Sequence, residues 1–259
     1  MNYLALDIET IPNQLLPVEC KPVFDPESVK YGNTKDPVKR AGKEAEEKQK
    51  FDESIIKTMS LDPAFCSICT FAAKEVENKE VKRYSWQLTK DDKHDDYEIV
   101  LNAIKTITVS YNKRIPIVTF NGLSFDLPVI LFRAISQDIP VNIKMWQQIT
   151  RKYTNPHHYD LMQILSGWDR QRWHKQDFYV SLLKTGQVNF MDGSMVYGCY
   201  QNEEYKKIKK YCIGDVEALS GLFERVYPWI KIEQPKEENN SNSFDEELSK
   251  SFENAGCIK

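Results

Sequence analysis

The side chains best suited to chemistry stand in three short stretches: Asp7 and Glu9 in LALDIETIP, Asp126 in VTFNGLSFDLP, and Tyr211 with Asp215 in KKYCIGDVEAL. The first stretch is aliphatic and closed by a proline, which reads as a strand. Side chains alternate across a strand, so Asp7 and Glu9 share a face, about 6 to 7 Å apart along it. Like charges so placed repel, and buried without a partner they cost several kcal/mol, so a cation is expected between them. A metal ion is the natural candidate. Spacing alone is weak support, because Asp25/Glu27, Asp96/Glu98, Asp215/Glu217 and Asp245/Glu247 repeat the pattern. Only the first pair lies in an apolar strand.

Asp126 follows the strand IPIVTFN and the Asn121-Gly122 turn, at the start of a helix. A carboxylate there has an ordinary role, accepting the exposed backbone N–H groups of the first turn. Tyr211 and Asp215 are four apart on a helix whose apolar stripe is Ile208, Cys212, Leu219 and Leu222, so they stack on one face beside that stripe. A CxxC pair, Cys66 and Cys69, argues against zinc, because an offset of three in a strand sends the thiols to opposite faces and no second pair follows. His157 and His158 precede Tyr159-Asp160 and are expected to be structural.

The elements that must position these groups are legible from periodicity. CSICTFAAKEV and EVKRYSW form paired strands, and a helix spans about 95–110 with Ile99, Leu101, Ala103, Ile104, Ile107 and Val109 on its apolar face. FDLPVILFRAIS is a short helix with Pro128 in its first turn. YDLMQILSGW passes from strand to helix, and the last strong helix spans about 203–226. Residues 13–62 form an irregular insertion around a charged, solvated helix with few apolar anchors before Ile55, Ile56 and Met59. Early strands and later interleaved helices predict one α/β domain over residues 1–232, a mixed sheet flanked by helices, with its site at the carboxyl ends of central strands. Residues 233–259 form an acidic, Asn/Ser-rich tail expected to be flexible, in which Phe244, Leu248 and Phe252 at i, i+4, i+8 could dock on a protein partner.

No run is long enough to span a membrane and no cleavable apolar leader precedes the first strand, so a cytoplasmic protein without disulfides is expected from its six scattered cysteines. The net charge of −3 is uneven: seven acids against three lysines in residues 233–259 leave the rest at +1. A polyanionic substrate is admissible but not demanded.

LDIET, NGLSFDLP and YCIGD, ordered and spaced as they are, resemble the three motifs of the DEDD 3′–5′ exonucleases. A tyrosine four before the last aspartate matches the tyrosine-type (DEDDy) subgroup. Within it the chain is similar to stand-alone exonucleases related to the proofreading domain of family-B DNA polymerases. YDLMQIL and MDGSMV also match; the resemblance covers residues 1–14 and about 64–228, while GWDRQRWHKQDFYVSLLKTGQ departs from it. The resemblance implies a ribonuclease H-like α/β fold and a site holding two divalent ions, Mg²⁺ or Mn²⁺, about 3.5–4 Å apart, that activate a water and stabilise the leaving 3′-oxygen. It implies that Asp7 bridges both ions, that Glu9 and Asp215 complete the nucleophile-side ion, and that Asp126 holds the other. Tyr211, with a reference pKa near 10, would orient the attacking water rather than deprotonate it. By the same resemblance Thr10 and Ile11 flank the terminal nucleotide, and Asn121 and Phe125 line the strand's path.

The expected function is thus a metal-dependent 3′–5′ exonuclease on single-stranded DNA 3′ ends, releasing nucleoside 5′-monophosphates. The rivals are an exoribonuclease with the same site and a non-catalytic nucleic-acid-binding module. The interleaved rings and cations of Trp168, Arg170, Arg172, Trp173, His174 and Lys175 suit phosphate and base contacts, though a plain surface loop explains them as well.

Overall fold

A strand buried on both faces organises the molecule. In the computed structural model, which describes residues 1–188 and 191–232, β1 (Tyr3–Pro12) has nine of its ten residues buried, as its nearly continuous apolar sequence requires of a central strand. A long helix, α1 (Pro37–Leu61), follows β1, capped by the Asp36 carboxylate on the Val38 N–H with Pro37 at the first helical position. The antiparallel pair β2 (Cys66–Glu77) and β3 (Glu80–Gln87) extends one side of the sheet. Helix α2 (Tyr97–Asn112) leads to the short strand β4 (Ile117–Thr119), parallel to β1. Helices α3 (Asp126–Ser136) and α4 (Ile143–Ile149) precede β5 (His158–Asp160), parallel to β4. The sheet order is β3-β2-β1-β4-β5, a mixed α/β sheet.

Four α-helices follow among the described residues: α5 (Leu161–Leu165), α6 (Gln176–Leu183), α7 (Val196–Gln201) and α8 (Tyr205–Ile230). Alternation along β1 divides the core. Leu4, Leu6 and Ile8 pack with Ile99, Ala103, Ile104 and Ile107 of α2 and Leu127 and Ile130 of α3. Tyr3 and Ala5 face the other way, with Cys212, Val216, Leu219 and Phe223 of α8. The Tyr3 hydroxyl fixes α8 along β1, donating to Glu224 Oε1 at 2.6 Å beside Ser220 Oγ at 2.5 Å.

Two expectations are revised. Cys66 and Cys69 do not diverge; both are buried in the same apolar cluster. The β1–β2 register slips between Glu9 and Thr10, so that Thr70 and Ile68 face them in turn and Cys69 is the extra residue. A bulge of this kind breaks the simple two-residue alternation. The other concerns α1, whose exposed length carries the ion pairs Lys48–Asp52 and Glu46–Lys50 expected of a solvated helix, but whose last two turns dock on β1. There Met59 is buried and the Thr10 hydroxyl donates to the Ser60 carbonyl at 2.5 Å. The tail and its Phe244, Leu248 and Phe252 lie outside the described residues. Among the described residues no helix is long and apolar enough to cross a membrane.

Candidate active site

The alternation that sends Tyr3 and Ala5 toward α8 continues to Asp7 and Glu9. They therefore meet the face of α8 that carries Tyr211, Cys212 and Asp215. The Cys212 thiol lies 3.5 Å from both the Asp7 carbonyl and its Oδ2, and ligand atoms of Asp7, Glu9 and Cys212 all fall within 4.8 Å of one another. The Cys69 thiol donates to the Glu9 carbonyl at 3.3 Å.

Asp126 reaches this place through a gap in the sheet. Pairing of β1 with β4 covers Leu4 with Ile117 and Ala5 with Val118 and then stops. Beyond it the Ile8 N–H donates to Asp126 Oδ1 at 3.2 Å, so the first residue of α3 occupies the position a longer β4 would fill. The turn before it is held by Asp160, whose carboxylate accepts the N–H groups of Asn121 and Leu123 at 3.0 Å each while capping α5 through Gln163 at 3.3 Å. Asn121 takes φ of +71°, a left-handed conformation that asparagine tolerates. Gly122 is required by contact: a Cβ there would sit 2.3 Å from Thr119 Oγ1.

Electrostatically Asp7, Glu9 and Asp126 are unbalanced. Burial, then Asp126, Glu9 and Asp215, push the Asp7 carboxyl well above its ordinary value. Burial and then Asp215 and Asp126 do the same to Glu9. Asp126 is pushed up to about 7, chiefly by burial. Among the described residues no cation stands among the chief influences on any of the three. The Tyr211 phenol is also raised, by burial and then by Glu9, Asp215 and Asp7, so it stays protonated throughout the neutral range. A cluster of buried and half-buried, mutually repelling carboxylates is a donor set of hard oxygens fitted to divalent cations such as Mg²⁺ or Mn²⁺.

Part of this cluster opens onto a cleft of about 830 Å³, while Glu9 and Asp126 lie buried behind it. Asp7, Tyr211 and Asp215 line it, with Phe120 and Asn121 on one side and Trp173, His174 and Lys175 on another. Asp192 and Gly193, from MDGSMV, close a third side, with Lys175 paired to Asp192 at 2.8 Å. A Cβ on Gly193 would approach the Tyr211 hydroxyl to 4.0 Å. The Asn121 Oδ1 is buried without a hydrogen-bond partner.

The positions expected to touch a substrate divide. Asn121 and Thr10 line the cleft, although the Thr10 hydroxyl is engaged with α1. Ile11 is fully buried in the apolar core and does not line the cleft, and Phe125 packs partly buried against the same cluster. The Trp173-His174-Lys175 segment, as readily read as a surface loop, lines the cleft. So do Glu53, Ile56, Lys57, Ser60 and Leu61 of α1, which sequence reasoning left without a role. The only signal for them was the cluster of aliphatics at the end of a charged helix. His158 is a clamp, its ring nitrogens 2.8 Å from the Ile149 carbonyl and from Thr119 Oγ1.

Comparison with known proteins bears on the fold and the family. Over 88% of its length the chain superposes on a family-B DNA polymerase from the hyperthermophilic archaeon Pyrobaculum calidifontis with a TM-score of 0.55 and 16% identity, spanning 25% of the polymerase. The shared feature is the ribonuclease H-like exonuclease fold. Exonuclease I matches over 88% of the chain and 41% of its own length, at 12% identity and a TM-score of 0.40. No curated protein sequence matches. Residues 60–251 match a family model, so this chain belongs to the family of predicted 3′–5′ exonucleases related to the exonuclease domain of PolB.

Proposed function

We propose that this exonuclease degrades single-stranded DNA from its 3′ end with two divalent ions, Mg²⁺ or Mn²⁺, releasing nucleoside 5′-monophosphates. The observation that carries this reading is the convergence of four acids at one cleft, Asp7 and Asp215 lining it and Glu9 and Asp126 buried beside them, with burial and the other acids the chief influences raising the carboxyls of Asp7, Glu9 and Asp126. Two ions in such a site stabilise charge on the attacking and leaving oxygens of an in-line displacement. Asp7, beside Glu9 and within electrostatic reach of Asp126 and Asp215, is placed to be shared between them.

The protein groups then have separate tasks. Water attacks the terminal phosphorus, the bond to the 3′-oxygen breaks, the shortened strand takes the proton as a 3′-hydroxyl, and the released nucleotide keeps the phosphate. Tyr211, held protonated, orients the water by hydrogen bonding and does not take its proton. Phe120, Trp173 and Tyr197 offer aromatic faces along the cleft, and stacking on such faces is tolerant of sequence and suited to single strands. The family's relation to the exonuclease domain of a DNA polymerase favours DNA.

The test uses matched DNA and RNA oligonucleotides, single-stranded and duplex, labelled at the 5′ or 3′ end. In Mg²⁺ or Mn²⁺ the 3′ label on single-stranded DNA should be lost at once as a mononucleotide while the 5′ label gives a descending ladder. EDTA should abolish both. Faster loss from RNA would reassign the substrate, and retention of all labels with measurable binding would favour a non-catalytic module.

A further inference from the structure

The last two turns of α1 form one side of the cleft whose floor carries Asp7, Tyr211 and Asp215. All of the helix except Ser60 and Leu61 lies before the residues matched by the exonuclease family model, which begin at 60. Glu53, Ile56, Lys57, Ser60 and Leu61 recur at three- and four-residue intervals, the spacing of one helix face. Two anchors hold that face over the catalytic strand: the Thr10–Ser60 hydrogen bond and the buried Met59. What the face offers the cleft is unusual for a solvated helix. Ile56 is 38% and Leu61 54% exposed, and Lys57 has no ion-pair partner among the described residues. The opposite cation, Lys175, is already bound to Asp192.

Charge gives Lys57 a specific task. The cleft presents Asp7, Glu53, Asp177, Asp192 and Asp215, and the carboxyl end of α1, directed at β1, adds the partial negative charge of a helix C-terminus with no basic residue in its last turn. A polyanion entering there needs an uncommitted cation away from the ions bound at the floor. We propose that the end of α1 is the substrate-gripping wall of this exonuclease. Lys57 holds a backbone phosphate of the single strand upstream of the scissile bond, and Ile56 and Leu61 pack against the adjoining sugar and base. This inference rests on the exonuclease reading and adds a binding element outside the carboxylate site.

Steady-state cleavage of single-stranded oligo-dT in Mg²⁺, followed against salt, tests it. Lys57→Ala should raise KM about three- to tenfold, leave kcat within about twofold, and flatten the slope of log(kcat/KM) against log salt by about 0.7, the value of one phosphate contact on a single strand. The double variant Ile56→Ala/Leu61→Ala should raise KM without changing that slope. Lys48→Ala, on the solvated part of the same helix and paired with Asp52, should match wild type. All these side chains are exposed, and matching melting curves establish that the variants fold. Wild-type KM and salt slope in Lys57→Ala and in the double variant would overturn the wall while leaving the exonuclease in place. Absence of metal-dependent cleavage by the wild type would remove the function and the wall with it.

Discussion

Two aspartates open the same three-residue pattern, Asp7 before Glu9 and Asp96 before Glu98, and the fold treats them in opposite ways. Asp96 is 0% exposed and fully answered: Arg133 donates from Nε at 3.0 Å and from Nη2 at 2.6 Å, Gln137 at 2.6 Å, and the Ile68 N–H at 2.7 Å. Asp7 meets one weak thiol donor and a ring of other carboxylates. A buried acid satisfied by the protein is architecture, here tying the slipped end of β2 to α2 and α3. A half-buried acid that the protein surrounds chiefly with other carboxylates is a place prepared for an external cation. The three-residue spacing is the same in the two cases, so it is the setting, a strand for Asp7 and a helix start for Asp96, and above all the partners that distinguish them.

Removing each acid's environment in turn should sharpen that contrast. Asp7→Ala should reduce cleavage to background while the folded protein persists, because a repelled carboxylate is lost. Residual turnover near wild type in purified, folded protein would end the metal-site reading of Asp7. Arg133→Ala should do the reverse, costing about 3–5 kcal/mol in urea unfolding by stranding Asp96 without its cation. An unchanged unfolding midpoint would show that Asp96 is not held as an ion pair.

A smaller loss is expected at the edge of the carboxylate ring. Tyr211→Phe keeps the ring and removes one hydroxyl, so the single-turnover rate should fall toward the lower part of the roughly 10²–10⁴-fold range for proton-handling groups. Because the phenol is raised, the rising limb of rate against pH should be displaced downward and keep its shape. Loss of that limb under saturating metal would make Tyr211 the base.

The mildest expected effect is on stability against pH. Asp126 titrates near 7 in the folded protein against 3.8 for an unperturbed aspartate, so between these values the native state holds a proton that the unfolded chain has lost. Its contribution is complete below about pH 4 and disappears as pH rises through 7. Asp7 and Glu9, also raised, act in the same direction. In EDTA the melting temperature should therefore fall from pH 5 to pH 8, with a shallower fall in Asp126→Asn, and Mn²⁺ should restore more at pH 8 than at pH 5. A melting temperature that rises over this interval in EDTA would contradict the strained-carboxylate picture.

Several parts of this arrangement are readable from local periodicity alone. The two-residue repeat of β1 puts Asp7 and Glu9 on one face, and the four-residue interval in α8 aligns Tyr211 with Asp215, because backbone geometry sets both repeats whatever the surroundings. The paired strands at 66–87, the helix from Asp126 and the turn at Asn121-Gly122 follow from similar short-range rules. Tertiary structure alone decided which surfaces meet. It laid α8 against the Asp7 face, gave the Ile8 N–H to Asp126 across 118 positions, and paired Asp96 with Arg133. It slipped the β1–β2 register so that Cys66 and Cys69 joined one cluster, and it carried the end of α1 and the Trp173-His174-Lys175 segment to the cleft. Such contacts join residues far apart in the chain, and their free energy comes from the packing and desolvation of both partners together, which no local pattern contains.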